Sequence, residues 1–209
     1  MMSAKKLPET DDERIGILRA AVEREEENER WDKVLSLANL EELRLFIPIF
    51  EGAHFILNRA MEERDKTKNQ YNEYFKNTQL YISHFIQVLF LAVIRHEIKA
   101  ESLALYGLQE NDPSLPDLST EEAVLTWAEN VIHGESERTV RGGISLYNPT
   151  IAKVKVYYEL LKESIHTLSV YDKNIIRSQN KINDLRIKAD TLIQKIWTKA
   201  EEQYERADR

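Results

Sequence analysis

The sequence predicts an all-α fold: an elongated helical bundle in which two long antiparallel, coiled-coil-like helices are braced by two or three shorter ones. Three observations carry that expectation. Gly and Pro contribute only 6 and 5 of the 209 residues. That is about half of average usage, whereas sandwiches and barrels need a turn every ~8–12 residues. Two stretches of more than fifty residues keep apolar side chains at alternating spacings of four and three, the periodicity of a coiled coil rather than of short globular helices. Turn-rich composition is confined to Gly107–Asp117 and Arg141–Asn148, so connections are few and a single all-helical domain over 1–209 is expected.

The first helix is expected over 10–30. Ile15, Leu18 and Val22 form its apolar line, and the acidic run Glu23–Glu29 reads as a solvated face. Trp31, Val34, Leu35 and Leu37 either continue it or form a separate turn. The second helix is expected over 41–96, with Pro48 and Gly52 as breakers near its start. Its seam threads through Leu43, Ile47, Phe50, His54, Leu57, Met61, Arg64, Lys68, Tyr71, Phe75, Thr78, Ile82, Phe85, Leu89, Ala92 and His96. Residues 99–106 form a brief helical piece.

The third helix, over 119–139, opens on Ser119-Thr120-Glu121-Glu122. This reads as a capping box, with Ser119 as N-cap and Glu122 reaching back to it. Val124, Leu125, Trp127, Ala128, Val131 and Ile132 define its buried side. The fourth helix, over 149–205, takes Asn148 as N-cap and Pro149 as first residue. Its seam includes Val154, Tyr158, Leu161, Ile165, Asp172, Gln179, Ile182, Arg186, Ala189 and Ile193. Each long helix would extend ~80 Å at 1.5 Å per residue. Arg64, Lys68, Asp172, Gln179 and Arg186 make the middle of each seam polar, which reads as a thin, partly wet neck rather than a register-fixing polar seam.

Composition excludes several function classes. Without cysteine there is no disulfide, thiolate zinc site or Cys nucleophile. The net charge of −7 argues against nucleic acid as a partner. Met1–Asp12 has no apolar h-region, so a cytoplasmic location is expected. Leu80–Ile94, the most apolar stretch, has fifteen residues. A bilayer span needs ~20, so it reads as a buried helix segment.

The pattern Glu-x-x-His occurs at Glu51/His54 and at Glu163/His166. Spacing of three puts carboxylate and imidazole on one helix face, as ferritin-like di-metal sites require from two helices. The threading places His54 on a seam but Glu163 and His166 on an outward face. Glu51 and His54 are therefore the candidate metal ligands, with one pair alone facing a core and no cofactor expected. Glu129, His133 and Glu137 align on the solvated face of the third helix, and His84 and His96 read as core histidines. Arg141-Gly142-Gly143 reads as a turn. Tyr71, Tyr74, Phe75, Tyr81 and Phe85 recur at helical spacing as a core or partner-facing stripe.

Tyr81-Ile82-Ser83-His84-Phe85-Ile86-Gln87-Val88, Thr126-Trp127-Ala128-Glu129 with Gly134-Glu135, and Asn148-Pro149-Thr150-Ile151-Ala152 together resemble an uncharacterised family of bacterial all-helical bundle proteins, over roughly residues 5–200. The resemblance implies a helical fold and a bacterial source, and no activity comes with it. The expected function is that of a non-catalytic helical scaffold or interaction protein, with a protein partner or self-association. A membrane-active protein using residues 80–94 is the alternative, and a metal-binding oxidase the third reading.

Overall fold

The computed structural model describes residues 6–27 and 33–207, and these hold four α-helices, one 3₁₀ helix and no strand: an all-α bundle. The helices are α1 (Asp11–Glu27), α2 (Leu37–Ile94), α3 (Glu121–Val140) and α4 (Ile151–Ala207), with the 3₁₀ helix at Ala100–Tyr106. Trp31 and the end of the acidic run lie outside the described residues. The chain gathers into two compact units, residues 1–63 with 171–209 and residues 64–170. Both long helices lend a segment to each unit.

In the unit formed by 1–63 and 171–209, Leu18 of α1 is fully buried among Leu43, Phe46, Ile47 and Phe50 of α2 and Ile182, Ala189 and Ile193 of α4. The start of α1 is a capping box, as Thr10 Oγ1 accepts from the Glu13 amide (3.2 Å) and Glu13 Oε2 accepts from the Thr10 amide (3.0 Å). That reciprocal pair is legible as Thr10-Asp11-Asp12-Glu13, although the sequence reading assigned the motif to the third helix. Ile15, Leu18 and Val22 are few apolar anchors for seventeen residues, and ion pairs supplement them. Arg14 donates to Asp190 (2.8 and 3.2 Å), and Arg186 donates to Asp11 (2.7 Å twice). The expectation of a solvated acidic run is corrected at Glu25, which is buried. Its carboxylate accepts from the amides of Val34 and Leu35 (2.8 and 3.1 Å), stitching the chain before α2 to α1.

Helix α2 starts at Leu37 rather than 41, because Ser36 caps it by accepting from the Asn39 amide (3.3 Å). Pro48 does not break the helix. It sits, like Arg44 one turn before it, on the exposed side of the helix, away from the core. The seam also differs from the threaded one. Met61 and Lys68 are exposed, whereas Thr67 is buried and Ala60 half-buried. A strict seven-residue repeat drifts ~20° per heptad on a straight helix, so the buried line moves over by one residue. The helix stops two residues before the expected 96. His96 takes φ 60°, its amide bonds the Val93 carbonyl (2.9 Å) and the Glu97 amide bonds that of Ala92 (2.9 Å). His96 is therefore the exposed left-handed residue of a Schellman cap and not a core histidine.

In the unit 64–170 the core joins Ile82, Phe85, Ile86 and Leu89 of α2 with Leu103 and Tyr106, Val124, Ala128 and Val131 of α3, and Val154, Tyr158 and Leu161 of α4. The segments of α2 and α4 run antiparallel here. Thr78 Oγ1 donates to the Tyr157 carbonyl (3.2 Å), while further along α2 the Tyr81 ring stacks on Tyr157 (4.9 Å) beneath Lys153. The N-cap of α3 is Thr120, whose Oγ1 accepts from the Ala123 amide (3.2 Å). Ser119 is not the cap, because its amide and hydroxyl both bond Asp117 (2.8 and 3.0 Å). Asn148–Pro149 is cis and lies outside α4, which begins at Ile151 after Thr150. Neither Asn148 nor Pro149 therefore takes the expected place in the first turn.

Candidate functional site

Glu51 and His54 meet different partners on α1. Glu51 pairs with Arg19 of α1. The His54 ring lies 3.4 Å from Asp11 and 3.2 Å from Asp12, with the Asn58 amide at 3.0 Å. Burial pushes the Asp11 carboxyl up, but the Arg186 bond and the charges of Arg186, His54 and Arg14 outweigh it and hold the group below the usual carboxylate range. Glu163 and His166 are exposed, as the threading placed them. Among the described residues no three His, Asp or Glu side chains are grouped to hold a metal ion. The stripe on α3 is joined only in part: the exposed His133 lies 3.7 Å from Glu137, which also accepts from Arg141 (2.9 Å), whereas Glu129 accepts from the Tyr158 hydroxyl.

Sequence reasoning missed the buried polar cluster of the unit 64–170. Glu135 and Arg138 have side chains only 2% and 7% exposed. Glu135 Oε2 accepts from the Tyr106 hydroxyl (2.5 Å) and from Arg138 Nη2 (2.8 Å), and Oε1 accepts from Arg138 Nη2 (3.0 Å) and the Leu146 amide (2.9 Å). Arg138 also donates to the Tyr106 oxygen (2.8 Å) and the Ile144 carbonyl (2.8 Å). Burial and the bond to Glu135 push the Tyr106 hydroxyl well above its ordinary range. With both Glu135 oxygens engaged, the cluster has no free base or nucleophile, and its chemistry is that of a clamp joining the 3₁₀ helix, α3 and the loop after α3.

Local backbone makes the clamp possible. A Cβ on Gly134 would stand 2.5 Å from Tyr106 Cδ1 and 2.8 Å from the Leu105 carbonyl, so only glycine lets the 3₁₀ helix approach so closely. Gly142 (φ 90°) and Gly143 close α3 with a Schellman motif, their amides bonding the carbonyls of Thr139 and Arg138 (3.0 Å each). A signal was available in the sequence. Val124, Ala128, Val131, Glu135 and Arg138 continue one line at spacings of four and three, which puts the two charges on the buried face.

Beside the clamp lies a cleft of about 1020 Å³ lined by Ala92, Arg95, Lys99, Leu105, Arg141 and Leu146 among others. Arg95 pairs with Glu97 (2.9 Å) and Arg141 with Glu137, so its cations are largely compensated. Another surface feature lies in the unit 1–63/171–209. Leu37, Leu45, Ile49, Phe55 and Ile56 of α2 are all more than half exposed. Leu45, Ile49, Gly52 and Ile56 recur at four, three and four residues along one face, opposite the face that buries Leu43, Phe46, Ile47 and Phe50. No family model, curated protein or solved structure matches the chain.

Proposed function

We propose that this protein is a non-catalytic helical scaffold that acts by docking another protein chain on the outer face of α2. The observation that carries the reading is the stripe Leu45–Ile49–Ile56. Its apolar side chains face solvent on a helix whose opposite side is already fully used by the core. A contiguous row of large apolar side chains in solvent supports reading the face as an interaction surface. The buried clamp supports the same reading, since its polar groups are spent on holding the fold. The test is a photoreactive amino acid placed at Ile49 in cells. Adducts with protein are expected there, lost when Leu45→Glu is added, and not formed from the exposed position Lys155. Equal labelling from both positions would sink the reading.

A membrane-active reading draws on one observation: α2 is long and apolar enough to cross a membrane by length and composition, as the core helix of a bundle also is. It would take Ile82, Phe85, Ile86 and Leu89 out of the core of their unit. Flotation of the intact protein with liposomes separates the two readings.

A further inference from the structure

We propose that the partner on the outer face of α2 is a second copy of this chain, lying antiparallel about a two-fold axis that passes between Ile49 and Gly52. This rests on reading that face as a docking surface and names its occupant. Leu45, Ile49, Gly52 and Ile56 lie within about 60° of one another around the helix. No atom stands within 4 Å of where Gly52 would carry a Cβ, so the stripe has a hole at its centre. Glu41 and Arg59 are exposed, and neither has an ion-pair partner among the described residues. They are eighteen residues apart, which at 3.6 residues per turn is five whole turns, so both lie on the same edge of the stripe.

That spacing is self-complementary. Antiparallel pairing about the axis sets Leu45 against the partner's Ile56, Ile49 into the hole at the partner's Gly52, and Glu41 beside the partner's Arg59, each pairing occurring twice. A parallel copy would instead bring like charges to the same level, which is destabilising. At about 100 Å² apiece Leu45, Ile49 and Ile56 offer roughly 300 Å² of the ~800 Å² per partner in a standard interface, and the polar side chains that flank the stripe would supply the rest.

Sedimentation equilibrium of the whole protein over about 1–300 µM tests this, a range that covers micromolar dimers. The expected result is a dimer. Ile49→Glu should weaken it at least ~30-fold, because a charge would be buried at the interface centre. Glu41→Arg and Arg59→Glu should each weaken it about fivefold, and the double variant should recover to within about twofold of the parent. All three positions are exposed, so circular dichroism and melting should show folded variants. A monomer over the whole range, or a charge swap that fails to restore association, overturns the proposal. A monomer that still forms Ile49 adducts with another protein leaves the docking face standing and removes only the second copy. A dimer indifferent to Ile49→Glu, with no Ile49 adducts, removes both.

Discussion

The two units place their charges differently. In residues 64–170, Glu135 and Arg138 sit one turn apart on α3, and Tyr106 and two loop backbone groups seal them from water. In residues 1–63 with 171–209, Asp11, Arg14, Arg186 and Asp190 join α1 to α4 as a linked set, with Arg14 also 3.7 Å from Asp11. Arg186 and Asp190 keep 34% and 25% of their side-chain surface. The lesson is that the same residue types close one fold from inside and hold another at its edge. Their energetic weight follows from water access, not from the number of pairs.

The largest expected effect breaks the sealed cluster. Arg138→Ala leaves Glu135 charged and buried and should cost about 3–5 kcal/mol in urea unfolding. Arg186→Ala in the other unit should cost less than half as much, because water reaches the Asp11 pair; equal losses would erase the contrast. Next comes backbone approach. Gly134→Ala forces Tyr106 or the Leu105 carbonyl to move and should destabilise by about 1–3 kcal/mol. In the dissociated chain Gly52→Ala meets open space and, at concentrations below the association range, should stabilise by up to ~1 kcal/mol through helix propensity. Opposite signs for two helical glycines would be the sharpest check on the comparison.

Asp11 gives the edge pairs a pH signature. Its carboxyl is held below its ordinary value in the folded protein. The stability it contributes is therefore present above the unfolded value of about 3.9 and is lost as pH falls through the folded value. Asp11→Asn should cost about 1.5 kcal/mol at neutral pH. Below about pH 4 it should lose less stability on further acidification than the parent does. A parallel fall in both proteins would mean the pair does not act. The smallest effect concerns the cap of α3. Thr120→Ala should cost about 1 kcal/mol and Ser119→Ala only a few tenths in thermal melts, since Thr120 satisfies the helix amide.

Local signals in the sequence made much of the fold legible. Scarce Gly and Pro and sustained four-three spacing placed the four α-helices within a few residues of their ends, and Val154, Tyr158, Leu161, Ile182, Ala189 and Ile193 are buried where that spacing put them. The candidate site was less legible. Glu51 and His54 were found by motif, but the motif does not say that Arg19 and Asp11 occupy them. The stripe on α2 was overlooked because a helix apolar on two faces reads as one buried throughout.

By itself the sequence determined the helical class, the two long helices and most of the apolar seams, because helix periodicity and turn chemistry are set by residues within four positions of one another. Tertiary structure alone decided which charges go inside. Tyr106 reaches Glu135 across 29 residues and Arg138 across 32, and Glu25 finds Val34 and Leu35 across nine and ten. It also decided that Thr67 is buried in place of Lys68. A charge can leave water only where its partners are already in position. Those positions come from packed helices and not from the neighbouring residues.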